Sequence, residues 1–371
     1  MQSDSQQVML SDLRSFRLQD RRPSPGLRPA KQECKTRMKR ILLLILTPFL
    51  LHGCKPAGEY FEINGLTQGT TYHIVFEASL QRDLSEVRSQ VEKILADVDH
   101  SLSIYNDTSV ISLINSNKSD ITDTLFREML RESRVVWEMS SGAFDITVGP
   151  LVEAWGFGPD AMRRFDETKL DSLLALVGMD RVRLVGDRIV KSDPGMFIDV
   201  NAIAQGYTVD LLIEYLKNTG ITDCLVEVGG EVRTLGDKNR KGWRVGVDRP
   251  FDGNMTPGAD LEAIVRLDNL SLATSGNYRK FYVDNGVKYS HTIDPRTGYP
   301  VRHTLLSATI VAPSCATADA WATVCMVVGK DSAARYIDKY DFLEGYLIYS
   351  DDNGNMRTWM SEGIKKIIEE E

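Results

Sequence analysis

Apolar positions along the chain change their spacing several times, and each change marks a predicted element. Leu84, Val87, Val91, Ile94, Leu95 and Val98 recur at steps of three and four, the period of an amphipathic helix. Thr71–Glu77 before them alternates as a strand does. A second helix is predicted from about Leu125 to Met139. A third carries Leu170, Leu173, Leu174 and Val177 and stops at Gly178. Val182–Val185, Ile189–Lys191 and Met196–Val200 read as short strands, and a helix opens near Ala202 and runs to Leu216. Beyond it come Cys224–Val228, the Gly229-Gly230 pair and Trp243–Val247. Asp284-Asn285-Gly286 is a strong hairpin turn. A small-residue helix covers Cys315–Val328, and Asp341–Tyr349 is expected as the last strand. Strands in hairpins as well as beside helices argue for an α+β fold with mixed or antiparallel sheets and packed helices. No proline-rich linker interrupts the body, so residues 54–371 are expected to form a single domain.

Residues 1–53 follow a different pattern. Residues 1–37 are polar and Pro-dotted, without an apolar period. Met38-Lys39-Arg40 then leads into the apolar run Ile41–Leu51 and into Leu51-His52-Gly53-Cys54. A charged start and a short apolar stretch have signal-peptide proportions, too short for a comfortable membrane span. Leu51 and Gly53 before Cys54 resemble the lipobox of bacterial lipoproteins, although His52 stands where a small or aliphatic residue is usual. On this reading Cys54 is lipidated, Met38 competes with Met1 as the start, and the body faces the periplasm from the inner membrane. An uncleaved anchor is the other reading, and it too puts the body outside the cytoplasm.

The net charge of the 371 residues is −8. Residues 1–53 hold ten Lys/Arg against four Asp/Glu, so the body alone is near −14. Such a body repels phosphate backbones and excludes generic nucleic-acid binding. A phosphorylated ligand would need a metal or local backbone donors. Five cysteines, Cys34, Cys54, Cys224, Cys315 and Cys325, lack CxxC spacing and indicate neither a disulfide framework nor a zinc site. Cys224 and Cys325 lie in apolar runs and are expected as buried thiols.

Four clusters carry candidate chemistry. Asp319 and Thr323 are four apart in a helix of small and apolar residues and share a face. An acid there must be paired or bound to a cation. Two oxygen ligands suit Mg²⁺, whereas pairing with a buried arginine or capping another segment is the alternative, and spacing alone leaves the two even. Ile198-Asp199-Val200-Asn201-Ala202-Ile203-Ala204-Gln205-Gly206-Tyr207 ends a strand at an acid and starts a helix through small residues. It could receive an anion or simply be a capped turn. The third cluster is Ala273–Tyr278 with His291-Thr292-Ile293-Asp294-Pro295-Arg296-Thr297-Gly298-Tyr299-Pro300. Its histidine is either a general base or structural. The fourth, Ser141–Leu151 with Trp155-Gly156-Phe157-Gly158, offers a slot for a flat ring or a packed loop.

In their order along the chain, these clusters resemble the ApbE family, the FAD:protein FMN transferases. Gln68-Gly69-Thr70-Thr71-Tyr72, Ser103-Ile104-Tyr105 with Ser109 and Asn115, and Val228-Gly229-Gly230-Glu231 complete a match over most of residues 65–350. The resemblance implies a single-domain ApbE-like fold and an FAD bound by Gln68, Tyr105, Ala143, Phe144, Asp145, Asp199, Gln205 and Ile293. It also implies Mg²⁺ held by the Asp319 carboxylate, the Thr323 hydroxyl and the Ala202 carbonyl. The implied reaction moves FMN from FAD to a Thr or Ser hydroxyl of an acceptor flavoprotein, one belonging to a membrane respiratory complex, and releases AMP. His291 is the candidate base, with Asp199 or Asp294 orienting groups around it. Asn201, Gln205, Glu227 and Gln68 depart from the family's usual Gly, Lys, Asn and Met. Loss of the Lys removes a positive charge near the dinucleotide. An FAD pyrophosphatase and a non-catalytic flavin-binding lipoprotein are the competing functions.

Overall fold

The structure, a computed structural model, describes residues 58–157, 165–238, 240–251, 258–277, 281–284 and 287–370. The leader, Cys34, Cys54, Gly158, Tyr278 and the turn residues Asn285 and Gly286 lie outside the described residues. Strands β1 (Glu59–Thr67) and β2 (Thr70–Ala78) form a hairpin, followed by helices α1 (Leu84–Leu102), α2 (Val110–Asn115), α3 (Thr124–Met139), α4 (Gly149–Ala154) and α5 (Leu170–Leu174). The hairpin β3 (Val182–Val185) and β4 (Arg188–Lys191) precedes α6 (Ala204–Asn218). Seven strands follow: β5 (Cys224–Val228), β6 (Glu231–Leu235), β7 (Trp243–Asp248), β8 (Leu261–Leu267), β9 (Ser271–Gly276), β10 (Phe281–Asp284) and β11 (Val287–Ser290). The chain closes with β12 (Leu305–Ala312), α7 (Cys315–Val328), α8 (Lys330–Lys339), β13 (Glu344–Ser350), β14 (Met356–Met360) and β15 (Ile368–Glu370).

Eight strands make one antiparallel sheet in the order β1-β2-β5-β6-β9-β12-β13-β14, and β15-β8-β7 make a second sheet. Alternation along each strand splits its side chains between two faces. On β13, Leu347 faces the layer of α3 and α7, whereas Tyr346 and Ile348 join Val265 and Trp243 of the small sheet. On β2, Ile74 and Phe76 pack on Val91 of α1 and Leu212 of α6. The large sheet is therefore covered by helices on one face and by the small sheet over part of the other. The α+β expectation holds, and the pairing in the ladders is antiparallel throughout. No described helix is long and apolar enough to cross a membrane.

Local chemistry fixes the ends of the elements. Gln68 (φ 48°) and Gly69 (φ 72°) form a two-residue turn between the paired Thr67 and Thr70, and its left-handed backbone matches the strand twist. Asp83, Asp123 and Ser314 cap α1, α3 and α7 by accepting the amides of Ser85, Phe126 and Thr317. Helix α6 has no such cap from its own segment.

Two sequence expectations need correction. Met196–Val200 is extended but forms no ladder strand. A single bridge joins Phe197 to Val148, and Asn115 supplies the missing ladder bonds, donating to the Ile198 carbonyl (2.9 Å) and accepting its amide (2.8 Å). The strand expected last is followed by β14 and β15, whose polar, half-exposed patterns carry little periodic signal. Asp284 pairs with Val287, as the Asn-Gly turn required.

Candidate functional site

The site forms where the start of α6 meets α7. Gly206 lies so close to α7 that a Cβ there would stand 2.4 Å from the Cys315 carbonyl oxygen. This approach brings Asp319 onto the uncapped first turn of α6, where its Oδ2 accepts the Gly206 amide at 3.1 Å. The bond satisfies a helix-start N–H that α6 cannot satisfy itself. In a longer helix the Gly206 amide would bond to the Ala202 carbonyl. Diverted to Asp319, it leaves that carbonyl without a hydrogen bond among the described residues. Burial, with the Asp210 carboxylate adding to it, pushes the Asp319 carboxyl up to about 7 against the pull of the Gly206 amide.

The expected alternative for Asp319, a cap on another segment, is realised through Oδ2. The other alternative, a seal against arginine, is not: the nearby arginine, Arg233, is held at 2.6 Å by Asp210. Asp210 also accepts the amides of Cys315 and Ala316 at 2.9 Å each and so anchors the start of α7. Oδ1 of Asp319 takes no hydrogen bond among the described residues. One turn on, the Thr323 hydroxyl is 3.5 Å from that of Ser275 on β9. A carboxylate oxygen, a hydroxyl and a carbonyl are the oxygen donor types that a hard divalent cation takes. No cluster of three or more His, Cys, Asp or Glu able to hold a metal occurs among the described residues, so any ion here would rely on that mixed set.

Of the remaining expected residues, Gln68 and Gln205 lie at α6 itself. Gln68 donates to Thr208 of α6 at 2.7 Å, and the Thr208 hydroxyl donates to the Ala204 carbonyl. Gln205 covers the Gly229-Gly230 turn; a Cβ on Gly229 would meet its amide nitrogen at 2.5 Å. Glu227 accepts the Gly230 amide at 2.7 Å, and burial raises its pKa. Asp199 accepts the Asn201 amide, and its own amide donates to Ile146 at 2.7 Å. That bond ties the second cluster to the loop of the fourth.

In that loop Ala143 and Phe144 are buried. Asp145 accepts from the amides of Thr147 (2.8 Å) and Met179 (3.0 Å), so both carboxylate oxygens hold the loop together. Burial raises its pKa and these bonds partly offset the rise. Tyr105 stands 68% exposed and leaves a ring face open. Ile293 packs with Leu151 and Trp155, whose indole N–H donates to the Gly298 carbonyl at 2.8 Å. The His291 ring lies edge-on to Phe157 with centroids 6.4 Å apart. The Asp294 carboxylate is spanned by the guanidinium fork of Arg296 at 2.9 and 2.8 Å, an ion pair within the turn.

The four clusters are thus joined in a ring: Asp319 to Gly206, Thr323 to Ser275, Asp199 to Ile146, and Trp155 to Gly298. Sequence reasoning gave no role to Ser275, Thr208 or Asp210. Asp210 had a signal, since it is an acid four residues after Gly206 on an otherwise apolar helix face. Two clefts, of about 570 and 280 Å³, open elsewhere and include none of Asp319, Thr323 or Gln68.

A sequence model of the ApbE family matches residues 68–347. The FAD:protein FMN transferase of Haemophilus influenzae is 33% identical over 349 residues, 90% of this chain and 99% of its own length. That of Escherichia coli is 30% identical over 351 residues, 89% and 97%. Among solved structures, the flavin transferase ApbE from Vibrio cholerae superposes with a TM-score of 0.74 at 30% identity, covering 84% of this chain and 99% of that one. The apo flavinyl transferase ApbE of Pseudomonas stutzeri gives 0.74 at 29% identity, covering 84% and 97%.

Proposed function

This chain belongs to the ApbE family, and from that premise we propose that it transfers the FMN half of FAD to a Thr or Ser hydroxyl of an acceptor flavoprotein and releases AMP. The observation that carries this reading is the junction of α6 and α7, where the buried Asp319 carboxylate takes the Gly206 amide and the Ala202 carbonyl accepts no hydrogen bond among the described residues. Asp319, Thr323 and the Ala202 carbonyl would hold Mg²⁺, which when bound neutralises charge on the pyrophosphate oxygens.

The protein's own part is positioning and proton management. Gln68, Gln205 and the turn at Gly229-Gly230 gather at the start of α6, beside the groups that would hold the cation, where the diphosphate would lie. Tyr105, Ala143, Phe144, Asp145, Asp199 and Ile293 contribute surface for the nucleotide's flat groups. The acceptor oxygen bonds to the FMN-side phosphorus, and the bond from that phosphorus to the AMP oxygen breaks. The acceptor's proton passes to His291. Gln205 supplies hydrogen bonds without charge, so affinity for the dinucleotide depends more on the cation than it would with a lysine.

The anchor at Cys54 would keep the enzyme at the inner membrane, facing the periplasm, within reach of an acceptor in a membrane respiratory complex. Incubating the purified protein with FAD and Mg²⁺ and quantifying AMP tests the activity. AMP that forms only with acceptor protein present is the expected result. AMP without acceptor means hydrolysis to FMN and AMP, and absence of AMP in both arms leaves a flavin-holding protein; either would overturn the transfer reading.

A further inference from the structure

A cleft of about 280 Å³ lies beside the flavin loops rather than within them, lined by Arg296, Val328, Ser332, Arg335, Tyr336 and Lys339. Its position is fixed from two sides. The Tyr336 and Tyr340 hydroxyls of α8 donate to the carbonyls of Ser140 and Met139 at 3.0 Å each, pinning α8 to the turn that leads into Ala143. Opposite, Arg296 belongs to the turn that follows Ile293, and its Cγ would be 4.0 Å from a Cβ on Gly142.

The cleft's charge runs against that of the molecule. Arg335 and Lys339 are four apart on α8 and both exposed, and neither makes an ion pair within 4 Å among the described residues. Arg335 donates to Ser332 and Lys339 to the Tyr340 hydroxyl. Of the acids of the same helix, Asp331 pairs with Lys330, which holds its carboxyl below the usual range with a smaller contribution from Arg335, and Asp338 lines the other cleft. Two exposed cations on one helix face, with no ion pair within 4 Å among the described residues, give this part of a body near −14 a locally positive field.

The geometry points to this cleft as the docking surface for an acidic segment of the acceptor protein, flanking the hydroxyl that receives FMN. The inference rests on the transferase reading and adds the chemistry of its partner. A body of net negative charge repels an acidic partner over most of its surface, so the cleft would set orientation as well as attraction. At about 280 Å³ the cleft is small for a second nucleotide, and its exposed cations suit carboxylate side chains laid over a helix.

Two synthetic Thr-containing peptides test it, one with Asp and Glu around the Thr and one with Lys. Each is titrated against the full chain and the R335Q/K339Q variant by fluorescence anisotropy, while flavin fluorescence follows FAD affinity. The acidic peptide should bind the unaltered protein about tenfold tighter than the Lys peptide, lose that margin in the variant and lose it again in high salt, with FAD affinity unchanged. Equal binding of the two peptides overturns the inference, as does an acidic preference that survives in the variant. FAD affinity falling in step with peptide binding overturns it too, because the cleft would then serve a nucleotide phosphate. AMP release measured in the same samples judges the transferase reading separately: acidic binding without AMP keeps the cleft and removes the activity.

Discussion

Gly206 is the residue on which the junction of α6 and α7 turns. Its missing side chain lets α6 approach the Cys315 carbonyl, and its amide is what Asp319 binds. Gly206→Ala should cost about 1–3 kcal/mol of stability through overpacking against backbone. It should also weaken Mg²⁺-dependent activity by moving Asp319 from α6. Urea unfolding and AMP assays on the variant check both, and wild-type behaviour in both would show that the approach is not needed. His303 carries a separate pH dependence. Its ring nitrogen lies 2.7 Å from the Met326 carbonyl at the end of α7, and burial lowers its pKa below the ordinary 6.5. The unfolded chain therefore binds a proton at higher pH than the folded one. This contribution is complete above about 6.5 and is lost as pH falls from there through the folded value. Unfolding midpoints at pH 7.5 and 5.5 should converge in His303→Gln relative to the unaltered protein; an unchanged difference would assign the acid sensitivity to other groups.

Among the elements, α7 holds the most and shows how far a sequence can be read. Its limits, Cys315–Val328, follow from an unbroken run of small and apolar residues ended by Gly329, and burial on all sides explains why no polar face interrupts it. Trp321 at its centre packs on Tyr336 and Tyr340 at 5.5 and 5.2 Å. Burial likewise accounts for the expected thiols, with Cys224 and Cys325 pushed up to about 12. Met196–Val200 reads as a strand in the sequence, but its Ile198 amide and carbonyl bond to the Asn115 side chain, 83 residues away, instead of to a neighbouring strand. Asp210 stood out in the sequence as an acid on its helix, but its role did not, because its partners, Arg233 and the first amides of α7, are close only after folding. Asp210→Ala should destabilise by about 3–5 kcal/mol, since it strands a half-buried guanidinium and two helix-start amides. A urea midpoint near that of the unaltered chain would mean that Ser314 alone caps α7.

At the scale of the whole molecule, one antiparallel sheet carries two separate hydrophobic layers, and the helices on one face deliver the ring of four clusters. That ring is why motifs spread over some 180 residues, from Ala143 to Thr323, could be read as one site only through resemblance: no local period links them. The leader is a matter of sequence alone. If Cys54 is lipidated, Cys54→Ala should shift the protein from the membrane pellet to the soluble or precursor fraction on immunoblotting. Unchanged membrane association would favour the uncleaved anchor.

The proposed transfer depends on Mg²⁺ held by Asp319, Thr323 and the Ala202 carbonyl. Mass spectrometry of an acceptor flavoprotein, after incubation with FAD, Mg²⁺ and either the unaltered chain or Asp319→Ala, tests it most directly. Covalent FMN should appear on the acceptor with the unaltered chain and vanish both with chelator and in the variant. Full flavinylation by Asp319→Ala in the presence of Mg²⁺ would contradict it.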